Sequence, residues 1–177
     1  VSESQAIFVG ANDGMMHAFN ATTGKELFAY VPNLIDFDNL STLSRGDYTH
    51  KFFVDGPISV TPRSLTPAKN ILVGTLGRGG KGLYALDVSS PASFGTGSFK
   101  WERKDTSGNN MGMVLGTPIL ANVRDGSATP AVVIGNGPNS SSDKAVLIVM
   151  NLETGAVISE IDTGAGGSGS PNGLFSP

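Results

Sequence analysis

Few residues in this chain have types and spacings that could do chemistry. Arg45-Gly46-Asp47 is the sharpest partner signal. In an exposed loop its arginine would meet a receptor carboxylate while its aspartate ligates a receptor-bound metal, the integrin mode of host-cell adhesion. Three-residue matches arise often by chance, so the tripeptide stands as an adhesion candidate only. The two histidines, His17 and His50, lie over thirty residues apart. They have no matching carboxylate geometry in the sequence, and His17 reads as a structural residue within an alternating strand. Gly77-Arg78-Gly79-Gly80-Lys81-Gly82 superficially resembles a phosphate cradle. It joins two strands with no helix after it, so the helix dipole and N–H array that hold phosphate are missing, and it reads as a hairpin loop. No Gly-x-Ser-x-Gly elbow is present. Gly166-Gly167-Ser168-Gly169-Ser170 reads as a flexible loop.

Composition narrows the classes further. The chain has 177 residues, of which 39% are hydrophobic and 15% charged, with a net charge of −3. No basic field exists to hold nucleic acid. No apolar run approaches the ~18–20 residues of a membrane span. Val1-Ser2-Glu3-Ser4 does not read as a signal peptide. With no cysteine there are no disulfides, thiolate nucleophiles or cysteine-ligated zinc. The 24 glycines sit mostly at strand ends, where tight turns need positive φ.

The elements that must position these residues repeat along the chain. Ile7-Phe8-Val9-Gly10, a turn, Met16-His17-Ala18-Phe19-Asn20 and Thr23-Gly24 form the first unit. Ile71-Leu72-Val73-Gly74 followed by Gly82-Leu83-Tyr84-Ala85-Leu86-Asp87 repeats it. Val132-Val133-Ile134-Gly135 with Val146–Asn151 and Thr154-Gly155 repeats it again. Strands are expected near Ala6–Gly10, Met15–Asn20 and Glu26–Val31 in unit one. Unit two has Phe53–Pro62, Asn70–Thr75, Lys81–Val88 and Phe99–Arg103. Unit three has Leu115–Val123, Ala131–Gly135, Lys144–Leu152 and Ala156–Asp162. Asn33–Asp47 fits either a short amphipathic helix or an ordered loop. Asp13, Asp87 and Asn20 fall at strand ends, where their side chains fix turns. Trp101 falls on an outer strand and is expected to pack between units.

Four antiparallel strands per repeat describe a β-propeller blade. Gly10, Gly74 and Gly135 are roughly 60 residues apart, longer than the ~40–45 of a WD40 blade, and the excess lies in loops. The expected fold is all-β: about three four-stranded antiparallel blades of a larger propeller. The blade units are 6–31, 53–103 and 115–162, with 172–177 opening a next blade.

Within this frame the run from Val9-Gly10-Ala11-Asn12-Asp13-Gly14-Met15-Met16-His17-Ala18-Phe19-Asn20 to Val31-Pro32 resembles the PilY/PilC family of type IV pilus proteins. The resemblance continues through His50–Gly56, Leu72–Val88, Gly135-Asn136-Gly137 and Ile161-Asp162-Thr163-Gly164. It implies a C-terminal propeller of a large exported surface protein that supports pilus assembly, opposes retraction and mediates attachment. The implied partners are pilus subunits or minor pilins, and possible host-cell surface receptors. The resemblance also implies calcium on an Asp-x-Asp-x-Asp loop, since closely spaced hard oxygens suit that ion. No such loop occurs here. Asp36 and Asp38 lack the remaining ligands and a glycine turn, so the calcium loop is expected beyond Pro177 and no metal ligand is assigned. The first unit also looks like the repeat of pyrroloquinoline-quinone dehydrogenases, which leaves a quinoprotein oxidoreductase as the enzyme alternative. An envelope scaffold is a third reading. A shared repeat is accounted for by blade geometry, and a shared fold does not carry function.

Overall fold

The computed structural model describes residues 5–106 and 110–177. Residues 1–4, the segment that does not read as a signal peptide, lie outside them, as do residues 107–109 of the long loop expected over Lys104–Val114. The described residues form three antiparallel sheets in chain order. The first contains β1 (Ala6–Gly10), β2 (Met16–Asn20) and β3 (Glu26–Tyr30). The second contains β4 (Ile58–Val60), β5 (Ile71–Thr75), β6 (Gly82–Asp87) and β7 (Phe99–Lys104). The third contains β8 (Ile119–Asp125), β9 (Ser127–Gly135), β10 (Lys144–Asn151) and β11 (Val157–Gly166). Every pairing joins sequence neighbours, the meander of a propeller blade. The fold is all-β as expected, with three strands in the first sheet and four in the others.

Packing explains why the strand patterns differ. In β5 and β6 nearly every residue is buried, because sheet two is covered on both faces. Leu72, Tyr84 and Leu86 face sheet one and cluster with Met16, Phe53 and Val54. Ile71, Val73, Leu83, Ala85 and Trp101 face sheet three and cluster with Val132, Ile134, Val146, Ile148 and Met150. Among the described residues no further sheet covers the outer face of sheet one, and β1 alternates, leaving Ile7 and Val9 exposed.

One irregularity recurs in all three sheets. The register slips between Ala18 and Phe19, between Ala85 and Leu86, and between Val149 and Met150. These are equivalent positions, just before the residue that closes each strand (Asn20, Asp87 or Asn151). Such a bulge tightens local twist.

Several expected boundaries shift for physical reasons. The strand expected over Phe53–Pro62 is only Ile58–Val60. Phe53 N–H donates to Asn12 Oδ1, Val54 N–H to the Ala11 carbonyl and Asp55 N–H to the Leu76 carbonyl, and Pro57 has no N–H. The strand expected to start at Leu115 starts at Ile119, just after Pro118. The strand expected at Ala131 starts earlier, at Ser127, across a tight turn with Gly126 at φ 74°. Strand β11 runs to Gly166, and a Gly167–Ser170 bridge follows, so the glycine-rich loop there is partly ordered pairing. Asn33–Asp47 contains one α-helical turn, α1 (Phe37–Leu40), capped by Asp36, followed by a 3-10 turn at Ser41–Ser44. No helix among the described residues is long and apolar enough to cross a membrane.

Candidate functional site

Strand ends carry the polar chemistry of this molecule. Asp13 Oδ1 accepts from the Met15 N–H, Asn20 Oδ1 from Thr22 and Thr23, and Asp87 Oδ1 from Ser89. These side chains stand in for backbone acceptors, which is what fixes such turns.

His17 departs from the sequence reading. It lies on β2 as expected, but it is flanked by carboxylates on both ring nitrogens, a geometry the sequence reading did not find. Nδ1 lies 2.6 Å from Glu26 Oε1 and Nε2 lies 2.9 Å from Asp13 Oδ2. The Glu26 bond is the main cause that lifts its pKa above the ordinary value. Partial burial opposes the shift and Asp13 adds to it. The two carboxylates sit on opposite edges of the imidazole, so the three groups cannot converge on one ion. They form a clamp closing the β1–β2 turn onto β3. Asp13 lies four residues before His17, and Glu26 arrives through the β2–β3 pairing, which is the signal that could have revealed it.

The Arg45-Gly46-Asp47 tripeptide follows the 3-10 turn and is exposed. Arg45 Nε and Nη2 each donate to Asp47 at 2.9 Å, one bond to each carboxylate oxygen. The bond to Asp47 raises the arginine pKa, and its counterpart lowers that of Asp47. The two groups that would grip a receptor therefore grip each other here. Downstream, the His50 ring meets Phe52 edge-on at 4.8 Å, and the Arg78 guanidinium lies 5.4 Å from the same ring. Arg78 belongs to the Gly77–Gly79 turn between β5 and β6. The glycine-rich segment is a hairpin loop, and it anchors the loop that carries the tripeptide.

Trp101 lies on β7 and packs between sheets two and three. Its Nε1–H donates to the Leu152 carbonyl at 2.8 Å. Arg103 Nε donates to the Gly155 carbonyl, and Lys100 Nζ meets Glu153 at 2.5 Å. Beside this contact lies a cleft of about 260 Å³ over Met111, Ile148, Met150 and Val157, rimmed by Arg103, Lys104 and Glu160. That is below the ~300–1,000 Å³ usual for small-molecule sites.

The described residues offer no carboxylate cluster of the kind a calcium loop needs. Among the described residues no group of three or more His, Asp or Glu side chains converges. Asp36 is used as a helix cap, its Oδ1 accepting from the Asn39 N–H at 3.0 Å.

Comparison with known proteins gives a consistent picture. The family model described as "PilY1 beta-propeller domain" matches residues 2–177. A type IV pilus biogenesis factor PilY1 homolog of Xylella fastidiosa is 45% identical over 151 residues, 84% of this chain and 12% of that protein. The type IV pilus biogenesis factor PilY1 of Pseudomonas aeruginosa PAO1 is 40% identical over 97% of this chain and 14% of that protein. Among solved structures, the Pseudomonas aeruginosa PilY1 C-terminal domain superposes with a TM-score of 0.73 at 34% identity. That match covers 99% of this chain and 33% of the crystallised one. A quinohemoprotein alcohol dehydrogenase of Pseudomonas putida superposes at 0.50 with 17% identity, covering 92% of this chain and 20% of that one, a likeness of fold alone.

Proposed function

Because this chain belongs to the PilY1 β-propeller domain family, we propose that it is the propeller module of a type IV pilus biogenesis factor. It supports pilus assembly, opposes retraction and contributes to surface attachment, without catalysing a reaction. The observation that carries this reading is the 45% and 40% identity to pilus biogenesis factors over most of the chain. The chain spans only 12–14% of those proteins, so the parent's role extends beyond this module. Pilus subunits or minor pilins are the proposed partners, at the cell surface or on the pilus. Segment 172–177 is read as the opening of a next blade. The Leu174 N–H donates to Asn136 Oδ1 just past β9, as Phe53 N–H donates to Asn12 Oδ1 just past β1. Calcium, if the parent uses it, is assigned to a loop outside this segment.

The rigid blades leave partner contacts to the loops Asn33–Lys51 and Lys104–Val114, since binding residues concentrate on loops held by rigid scaffolds. Adhesion through Arg45-Gly46-Asp47 requires its internal pair to open. Both partners are exposed and the pair is screened by salt, so the barrier is small. Replacing the chromosomal gene with one lacking this segment tests the assembly role. Loss of pilin from sheared surface fractions, with normal total pilin, is expected. Unchanged surface pilin contradicts it. For the adhesive role, Arg45→Ala and Asp47→Glu are expected to abolish host-cell binding at wild-type pilus number, and unchanged binding removes it.

A further inference from the structure

The two junctions between sheets are built from equivalent positions, and only the first is filled with rings. Strand pairing sets the correspondence. Glu102 lies opposite Tyr84 in sheet two, and Glu160 lies opposite Ile148 in sheet three. Tyr84 and Ile148 each stand three residues before the one that closes their strand, Asp87 or Asn151. Tyr30 lies opposite Met16 in sheet one, and Arg103 lies opposite Leu83 in sheet two. Met16 and Leu83 each stand four residues before the closing Asn20 or Asp87.

In the first junction Tyr30 crosses to sheet two. Its ring lies 5.5 Å from that of Tyr84 and 6.4 Å from that of Phe94, and its hydroxyl donates to Glu102 Oε1 at 2.5 Å. The Asn33 N–H donates to the same oxygen, and the next residue, Leu34, packs against the core there. The second junction keeps the polar half of this arrangement without the rings. The Asn110 side chain donates to Glu160 Oε2, and the next residue, Met111, is buried in the core. Ile148 stands where Tyr84 does and Arg103 where Tyr30 does, and Arg103 Nε donates to the Gly155 carbonyl. What remains is the cleft of about 260 Å³, with Met111, Ile148 and Met150 as its buried floor and Arg103 and Glu160 on its exposed rim. No aromatic ring lines it among the described residues. Both sheets that wall it belong to this chain.

We propose that this cleft receives one tyrosine side chain of a partner protein, its ring over Ile148 and Met150 and its hydroxyl donating to Glu160. The volume is that of a side-chain socket, below the ~300 Å³ at which sites for whole small molecules begin. The thioethers of Met111 and Met150 suit a ring, since sulfur–aromatic contacts are favourable and the side chains adapt. Glu160 retains acceptor capacity beside its bond to Asn110, because an ionised carboxylate has about four lone-pair sites. Glu102 shows that use, accepting two donors on one oxygen. A second copy of this chain does not supply the ring. Tyr30 and Tyr84 are engaged in the first junction, and the Tyr48 hydroxyl accepts from the Lys51 N–H. The inference stands on the two junctions and is independent of the pilus role.

N-acetyl-tyrosinamide is the probe, titrated into the chain carrying isotope-labelled methionine methyl groups and followed by NMR. Met111 and Met150 report on the cleft, and Met16, in the other junction, is the control. Saturable shifts of Met111 and Met150 with Met16 unmoved are expected. N-acetyl-phenylalaninamide on the wild type, and the tyrosine probe on Glu160→Gln, are each expected to bind roughly tenfold more weakly, the worth of a hydrogen bond to a charged group. Arg103→Tyr, which supplies the missing ring from β7 itself, is expected to abolish binding. Absent shifts at millimolar probe, equal binding of the phenylalanine amide, or undiminished binding by Arg103→Tyr each overturn the proposal. Tighter binding of p-cresol than of the tyrosine amide would assign the cleft to a free phenol, and shifts that follow the concentration of the chain itself would assign it to a second copy. Either result also overturns it. Should Arg103→Tyr fail to fold, the comparison of the two amides still decides.

Discussion

His17 is a single imidazole shared by two carboxylates, and its protonation sets the strength of the clamp. Glu26, and more weakly Asp13, favour the imidazolium, so the folded-state pKa lies above the ordinary value. An unfolded histidine titrates at about 6.5. The clamp's contribution is therefore complete below about pH 6.5 and is lost as pH rises through the higher folded value. Thermal unfolding followed from about pH 5 to about pH 9 is expected to show that loss in the wild type, and His17→Gln is expected to remove it. Asn136 works differently. It is fully buried, and its amide donates to the carbonyls of Asn110 and Lys144 while its oxygen accepts from Val146 and Leu174. Asn136→Leu leaves several backbone groups unpaired and is expected to cost about 2–4 kcal/mol in urea unfolding. Tyr84 is the counter-example. Its hydroxyl is buried without a partner, and burial alone pushes its pKa up. Tyr84→Phe is expected to change stability by less than about 1 kcal/mol.

Between elements, the decisive contacts join one sheet to the next. Trp101 combines ring burial against Gly155 with a donor to Leu152, and both can be separated by mutation. Trp101→Phe keeps most of the area and is expected to cost about 1–2 kcal/mol, while Trp101→Ala is expected to cost about 3–5 kcal/mol. A Trp101→Phe variant as stable as the wild type, measured by denaturant midpoint, would contradict a separate role for the N–H, and equal losses in the two variants would contradict one for the ring. This interface was legible because a lone tryptophan on an outer strand has few other uses. Strands β5, β6 and β10 were legible from their apolar runs between glycine and asparagine turns. The segment around Phe53 was not. Its N–H groups leave the local sheet for Asn12 and Ala11, some forty residues away in sequence. The His17 clamp was missed for a related reason, since Glu26 reaches the imidazole only once β2 and β3 pair. The segment Asn33–Asp47, which its spacing left open between a short helix and an ordered loop, holds a single helical turn because Asp36 caps it and the chain then tightens into a 3-10 turn.

At the scale of the whole chain, three sheets stacked through two apolar interfaces make a rigid frame that carries the loops on its rims. That architecture was legible from the repeat of strand–glycine–strand units. The pilus role was legible only through resemblance, because a propeller frame hosts many functions and does not itself name one. We propose that this propeller belongs to a factor that builds pili and holds them against retraction. Counting surface pili by electron microscopy, with the parent gene deleted alone and together with the retraction motor, tests it most directly. Few pili in the single deletion, restored when retraction is also lost, are predicted. Unchanged pilus numbers in both backgrounds would contradict the claim.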